Sequence, residues 1–333
     1  MQPAHRTFSS PETGPGAVLL TTGYPLACSI GVPMKILIAV DSSPSSKEAL
    51  RQVAARIWPA GTAAVVLSVV DIGFLGGLMD SGPLLNSMTE AAEQLVTADA
   101  QLLAASDLST TTAVTVGHPS SSIVEYARQW QSDFIYLGSH GRRGLTRFLL
   151  GSVSKAVVHS AGCSVGIIRD QASPGPGPGT GSGAGARAKR GLRVLLATDG
   201  SDCSIAAARS IAARQWPPDS EFRVISVADI VEPGIEPWYT DVALLEELQR
   251  LNRQNAQQAI DSALEILTAA RLAPTKEGLT GLPKAAILDD AGRWNADLII
   301  VGSHGRRGVD RVLLGSVSES VAVHAHCSVE VFR

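Results

Sequence analysis

The chain alternates short apolar runs with longer segments whose apolar residues recur every three or four positions. The first run, 35–40, is apolar without interruption after its lysine, which predicts a strand buried on both faces. Ala49, Leu50 and Val53 then follow at helical spacing and predict an amphipathic helix. The later predicted strands of this half are 63–70, 111–116, 134–137 and 164–168, and the later predicted helices are 89–106, 120–130 and 152–160. Strands and helices in alternation predict a parallel α/β sheet, with 72–88 predicted as a loop.

The second half of the chain repeats the first. The run that ends on Asp199 restarts the pattern of the run that ends on Asp41, at an offset of 158 positions. Residues 117–169 overlay residues 281–333 without a gap at an offset of 164. The six-residue difference lies between the second and third predicted strands. We therefore predict one domain present in two tandem copies.

The boundaries of these copies follow from composition. Residues 1–33 are rich in Pro, Gly, Ser and Thr without a sustained period, so we predict a disordered N-terminal extension, with Met34 an alternative start to Met1. Residues 34–170 form the first predicted domain and 191–333 the second. Between them, 171–190 contain alternating Pro and Gly and are predicted to be a linker.

Charge and cysteine usage narrow the class of function. The 28 Lys and Arg residues nearly balance 31 Asp and Glu residues, so the composition indicates no nucleic-acid partner. No apolar run reaches the roughly 18 residues that a membrane-spanning helix needs. The four cysteines show no C-x-x-C spacing, which favours a reduced cytoplasmic protein over a disulfide framework.

A glycine pattern follows the fourth strand of each copy. Gly138-Ser139-His140-Gly141 precedes Gly151-Ser152 by nine residues, and 302–305 precede 315–316 in the same way. A glycine loop that leaves a strand and leads to a helix N-terminus presents backbone N–H groups suited to phosphate. The alternative is that these glycines only serve strand-to-helix turns.

This pattern resembles the G-x-x-G, nine residues, G-[S/T] motif in the ATP-binding branch of the universal stress protein family. The resemblance covers about 34–170 and 190–333. It implies two Rossmann-like, doubly wound domains, each with a five-stranded parallel sheet in the order 3-2-1-4-5. In such a sheet the ligand crevice lies at the switch point between strands one and four.

The resemblance also implies site residues and a cofactor, ATP with Mg²⁺. Gly138 and Gly302 would let backbone approach the ribose and α-phosphate, and Gly141 and Gly305 would aim N–H groups at the phosphates. The remaining implied binding residues lie beside the adenosine or at the start of the fourth helix: Asp41, Asp199, Val69, Val227, Gly151, Ser152, Val153, Gly315, Ser316 and Val317.

Other polar residues near this motif have competing interpretations. Arg142, Arg143, Arg306 and Arg307 are either phosphate ligands or residues of a solvated loop. His140 and His304 lie within the motif but lack a partnered carboxylate or nucleophile in a known arrangement, so we assign no catalytic residue. His324, His326 and Cys327 could approach a metal, but the first copy has no matching ligands, so we assign no metal site.

Two expectations concern partners and function. The resemblance implies that the fifth strands, 164–168 and 328–332, pair with each other inside the chain, with a homodimer as the alternative. We expect an ATP-binding regulatory protein of the stress response with one adenine-nucleotide site per copy. The alternatives are a slow ATPase or autokinase and a sensor of AMP or a cyclic nucleotide.

Overall fold

The computed structural model describes six segments of the chain. They are residues 32–73, 82–141, 150–169, 191–230, 242–305 and 314–333. Nearly all of the predicted N-terminal extension, the predicted linker and the paired arginines after each G-x-x-G motif lie outside the described residues.

Both copies fold into alternating strands and helices, as predicted. The first repeat consists of β1 (Lys35–Val40), α1 (Pro44–Ala54), β2 (Ala63–Asp71), α2 (Gly82–Ala100), β3 (Ser109–Gly117), α3 (Pro119–Trp130), β4 (Phe134–Gly138), α4 (Ser152–Ser160) and β5 (Ser164–Ile168). The second repeat consists of β6 (Arg193–Ala197), α5 (Asp202–Ala213), β7 (Glu221–Asp229), α6 (Val242–Ala269), β8 (Thr275–Gly281), α7 (Pro283–Trp294), β9 (Leu298–Gly302), α8 (Ser316–His324) and β10 (Ser328–Phe332).

The ten strands in the described segments form one continuous sheet in the order β3-β2-β1-β4-β5-β10-β9-β6-β7-β8. Within each repeat the strands are parallel and have the predicted 3-2-1-4-5 order. Strands β5 and β10 pair antiparallel, with Glu330 opposite Gly166. The two fifth strands therefore pair within the chain, and neither is left as an open edge.

Helices cover both faces of the sheet. Ile36 and Ile38 of β1 contribute to the apolar layer beneath α1, α2, α5 and α6, while Leu37 and Ala39 contribute to the layer beneath α3, α4, α7 and α8. Because each central strand contributes to both layers, its sequence is an uninterrupted apolar run. Among the described helices, none has the length and apolar character needed to cross a membrane.

The second helix differs most from its prediction. Residues 82–88, predicted as part of a loop, form the first two turns of α2, which ends at Ala100 and continues as a 3-10 turn over Gln101–Leu103. The first buried residue of α2 is Ala92, so the early turns extend past the core and show no apolar period. Strands β2 and β3 and helix α3 differ from prediction by only one or two residues at their ends.

Candidate functional site

The switch point of the first repeat, where a ligand crevice is expected, lies where β1 and β4 pair side by side. Ile36 to Ala39 of β1 pair in parallel with Phe134 to Leu137 of β4. The chain leaves β1 toward α1 on one face and reaches α4 on the other, so the connections diverge at the carboxyl ends of these strands. Strands β6 and β9 repeat the arrangement in the second half.

The start of α1 forms one wall of this crevice and orients an acidic side chain. Ser43 caps α1, because its Oγ accepts a hydrogen bond from the Ser46 amide at 3.2 Å. The amide of Ser43 donates to Oδ1 of Asp41 at 3.0 Å. In the second repeat the amide of Ser201 donates to Oδ1 of Asp199 at the same distance. Both carboxylates are thus held at the ends of their strands by the turn that begins the helix.

The same capping serines also hold the loop that follows β4 or β9. Oγ of Ser43 donates to the carbonyl oxygen of His140 at 3.2 Å, and Oγ of Ser201 donates to that of His304 at 3.0 Å. These bonds fix each G-x-x-G loop against the opposite wall of its crevice. This second role of Ser43 depends on a contact between residues 97 positions apart. The signal was its recurrence as Ser201 at the 158-residue offset.

Gly138 and Gly302 have a different role from the predicted one. A Cβ at Gly138 would lie 2.6 Å from the backbone carbonyl carbon of Ser45, and one at Gly302 would lie 2.8 Å from the amide of Ser204. Such distances are closer than non-bonded atoms approach, so glycine here permits the first turn of α1 or α5 to pack on the strand end. Protein backbone occupies the volume that we expected a ribose or phosphate to need.

Gly141 and Gly305, in contrast, face the acidic side chain. Among the described atoms, a Cβ at Gly141 would approach only Oδ2 of Asp41, at 3.1 Å. A Cβ at Gly305 would lie 2.9 Å from Oδ2 of Asp199. Neither glycine has a positive φ, so backbone conformation does not require glycine at these positions. A side chain here would stand beside the carboxylate at the crevice.

Helix α4 starts against this loop. Its N-cap is Gly151, which supplies no side-chain acceptor, and the amide of Gly151 donates to the Ser139 carbonyl at 2.8 Å. A Cβ at Gly151 would lie 3.7 Å from the Gly141 amide. The predicted residues Ser152 and Val153 are the first two of the helix, where backbone N–H groups point outward and the helix dipole is positive.

The second repeat repeats this arrangement. Gly315 caps α8 without a side-chain acceptor, and its amide donates to the Ser303 carbonyl at 2.8 Å. Ser316 and Val317 are the first two residues of α8. Ser318 in the same turn donates from Oγ to the Gly302 carbonyl at 2.6 Å, which ties the helix to the end of β9. This serine lies outside the predicted glycine motif.

The two predicted valines lie on the neighbouring strands. Val69 of β2 and Val227 of β7 are half-buried and pack against the apolar layer beneath α3, α4, α7 and α8. Ser68 pairs with Val40, so Val69 lies one residue further toward the carboxyl ends of the strands. Each repeat thus brings an acidic residue, two glycines, a helix N-terminus and an apolar side chain to the same end of its sheet.

The histidines of the two loops are held by serine. Nδ1 of His140 lies 2.9 Å from Oγ of Ser139, and His304 makes the same contact with Ser303. Both serines are nearly inaccessible to solvent, at 3% and 0% exposure, so their hydroxyls are poorly placed to attack a substrate. Burial and the nearby Arg333 guanidinium lower the pKa of His304. These pairs therefore stabilise the loop conformation.

The C-terminal histidine and cysteine cluster has ordinary local partners. Nδ1 of His324 lies 2.9 Å from the Ser320 carbonyl oxygen in the preceding helical turn. Burial lowers the pKa of His326 and raises the pKa of the Cys327 thiol to about 12. Within the described segments, no three His, Cys, Asp or Glu side chains come close enough together to hold a metal ion.

Two matches to one sequence family agree with the two repeats. The profile of the universal stress protein family matches residues 34–169 and 192–333. These matches cover most of the chain and coincide with the two sets of five strands. The chain therefore belongs to the universal stress protein family.

Individual relatives have the same tandem extent. A universal stress protein of Mycolicibacterium smegmatis is 30% identical over 313 residues, which cover 90% of this chain and 96% of that protein. One of Mycobacterium tuberculosis is 31% identical over 260 residues, covering 75% of this chain and 76% of the relative. The crystal structure of a universal stress protein from Archaeoglobus fulgidus covers 90% of this chain and 96% of its own, with a TM-score of 0.58 and 24% identity. That structural likeness concerns the fold.

Proposed function

We propose that each repeat binds one molecule of ATP and that the protein acts as a regulatory nucleotide-binding protein of the stress response. The observation that carries this proposal is the meeting of three features in one crevice. These are the N-terminus of α4, which has no side-chain cap, the loop glycine Gly141 and the oriented carboxylate of Asp41. The complete ATP-type glycine motif in both repeats supports it.

Each feature matches one part of the nucleotide. The carboxylate of Asp41 can accept hydrogen bonds from ribose hydroxyls. Backbone N–H groups of Ser152 and Val153, at the positive end of the α4 dipole, can donate to phosphate oxygens. Val69 offers an apolar surface to adenine. Mg²⁺ bound to the triphosphate would neutralise part of its charge, and in the second repeat Asp199, Ser316, Val317 and Val227 correspond to these residues.

The same contacts favour binding over turnover. Ser139 and Ser303 are buried and bonded to their neighbouring histidines, so neither hydroxyl is presented to a γ-phosphate. A general base or nucleophile needs hydrogen-bond reach to the reacting group. We therefore propose that the protein retains ATP as a bound ligand and that the occupancy of the crevices is the regulatory signal.

Isothermal titration of the full chain with ATP and Mg²⁺ tests the proposal, and two sites per chain are expected. Chromatography of nucleotides released by denaturing freshly purified protein identifies what the protein retains. Retained ATP supports the proposal. An absence of heat, of a thermal shift and of retained nucleotide would overturn it, while retained AMP or cyclic AMP alone would replace ATP as the ligand.

A further inference from the structure

The two repeats meet about a pseudo-twofold axis that passes between β5 and β10. Glu330 lies opposite Gly166, and these two residues occupy the same position in their repeats. On either side of them, Val329 lies opposite Ile167 and Val331 lies opposite Val165. Residues that lie on this axis therefore face their own counterparts from the other repeat.

One set of contacts at this interface is symmetric, because each repeat makes it to the other. The guanidinium of Arg169 donates to the Ala322 carbonyl at 2.8 Å, and that of its counterpart Arg333 donates to the Val158 carbonyl at 2.7 Å. Each arginine thus binds the last turn of a helix in the opposite repeat, where the helix dipole is negative. Such contacts would form equally well between two first repeats or two second repeats.

A buried carboxylate makes the interface unequal. Glu330 is fully buried and forms ion pairs with Arg56 and with Arg214, the latter at 2.7 Å. These two arginines are counterparts, at the 158-residue offset, and both guanidiniums reach one glutamate. The first repeat has Gly166 where the second has Glu330, so one carboxylate serves both cations.

The residue that fills the space above Gly166 also differs between the two repeats. A Cβ at Gly166 would overlap the ring of Tyr136, so the tyrosine occupies the volume that a side chain would need. The Tyr136 hydroxyl accepts a hydrogen bond from Arg56 at 2.8 Å and donates to Glu330 at 3.2 Å. Ile300 is its counterpart in the second repeat and has no hydroxyl to contribute.

A second pair of counterparts has opposite charges. Nζ of Lys155 on α4 lies 3.4 Å from Oε1 of Glu319 on α8. Both are partly exposed, at 56% and 37%, so this ion pair contributes little stability by itself. The pair can nevertheless distinguish between partners because it joins counterpart positions. Two first repeats would bring lysine to lysine, and two second repeats would bring glutamate to glutamate.

We propose that these two counterpart positions, 155/319 and 166/330, make the β5 and β10 edges complementary to each other and incompatible with themselves. Pairing two first repeats would bury two Arg56 guanidiniums without a carboxylate. Pairing two second repeats would bring two Arg214 guanidiniums along, but it would place two Glu330 side chains directly opposite each other, where the structure has one side chain facing a glycine. Like charges brought together in this way disfavour the wrong partner.

This complementarity defines the partner that the β5 edge of the first repeat accepts. The partner strand carries a carboxylate opposite Gly166, and its adjacent helix carries an acidic residue opposite Lys155. Within the chain, β10 and α8 meet both requirements. The complementarity therefore pairs a first repeat with a second repeat, as β5 and β10 pair within this chain, and rejects a second copy of the same repeat.

A charge exchange on the surface pair tests the inference without disturbing the core. Three full-length variants are compared by thermal unfolding: Lys155→Glu, Glu319→Lys and the double exchange. Each single variant sets like charges against each other and is expected to lower Tm by about 1–3 °C, and the double exchange is expected to restore it. Losses in the double variant that equal the sum of the single losses would overturn the inference for this pair.

Exchange of the buried residues tests the second position. Glu330→Gly leaves two arginines without a carboxylate and is expected to lower Tm by roughly 10 °C or to prevent folding. The exchanged chain adds Gly166→Glu, Tyr136→Ile and Ile300→Tyr, which moves the carboxylate to the counterpart position. Recovery of folding and of most of the lost Tm, with a monomer by light scattering, supports the inference. An exchanged chain no more stable than Glu330→Gly would overturn it, since a role tied to position 330 alone cannot be moved.

Discussion

Arg169, at the end of the first repeat, donates a hydrogen bond of 2.8 Å to the carbonyl oxygen of Ala322, 153 positions away in the second repeat. Arg169 is 3% exposed, and the same nitrogen also donates to the Val323 carbonyl at 2.9 Å. The last carbonyls of α8 have no partner within their own helix, so this guanidinium satisfies them. The contact joins the two repeats beside the β5–β10 pair.

Replacing Arg169 should destabilise the interface between the two repeats. Arg169→Met keeps the apolar length of the side chain but removes the hydrogen bonds to the α8 carbonyls, and we expect a loss of about 2 kcal/mol in the free energy of unfolding. Denaturant titration measures the loss. Arg333→Met should have a similar effect, and Arg51→Met, on an exposed helix surface, should change stability by less than about 0.5 kcal/mol. A negligible effect of Arg169→Met would contradict this account of the interface.

A methyl group at Gly141 should block one nucleotide site while leaving the fold intact. Gly141 has no positive φ, and its Cβ would approach Asp41 at 3.1 Å on the crevice side. In isothermal titration, Gly141→Ala should reduce the ATP stoichiometry from two to one with the remaining affinity unchanged. Gly162→Ala is the matched control, because no described atom lies within 4 Å of a Cβ there. Two sites retained in a folded Gly141→Ala protein would mean that this loop is only a turn.

The other loop glycine should respond differently. A Cβ at Gly138 would meet the Ser45 backbone at 2.6 Å, so Gly138→Ala must displace the first turn of α1. Overpacking of this kind costs about 1–3 kcal/mol, and we expect a loss of stability in that range by chemical denaturation. Unchanged stability would show that α1 moves away without cost. Comparison with Gly141→Ala separates packing from binding within one motif.

The buried Glu330 should make stability depend on acid pH. Burial opposes its ionisation, but the guanidiniums of Arg214 and Arg56 outweigh burial and lower its pKa to about 2. Because the folded pKa is below the unfolded value near 4.5, this stabilisation is complete above pH 4.5. This stabilisation is lost as the pH falls toward 2. The difference between the folded and unfolded pKa corresponds to roughly 3 kcal/mol, at about 1.36 kcal/mol per pKa unit. Urea titrations from pH 5 to pH 2 check this, with Glu330→Gln expected to show a shallower decline.

Local patterns predicted most of the fold. Strands β1, β4 and β5 are short, mainly apolar segments, a pattern typical of a sheet covered on both faces. Helix α2 was predicted from residue 89, close to its first buried residue Ala92, whereas it begins at Gly82. Its first turns extend beyond the core and show no apolar period, so the spacing of apolar residues does not predict them.

The residues of the candidate site were predicted together with roles, and the packing of α1 and α5 gives one pair of these glycines a different contact from the predicted one. Spacing identified Gly138 and Gly141 together, and only the packing of α1 separates a glycine that admits a helix from one that faces a carboxylate. The bond from Ser43 to the His140 carbonyl spans 97 positions. No local pattern reports such a contact.

The duplication, the succession of strands and helices and the two glycine motifs could all be predicted, because each follows from residue types and their spacing along the chain. The pairing of the repeats required the tertiary structure. In the sequence, Glu330 is one polar residue inside an apolar strand, where a fully buried charge would be costly. The folded chain brings Arg56 and Arg214, 274 and 116 positions away, to the same carboxylate. Whether a buried charge is compensated depends on which distant side chains contact it, and those contacts form only in the tertiary structure.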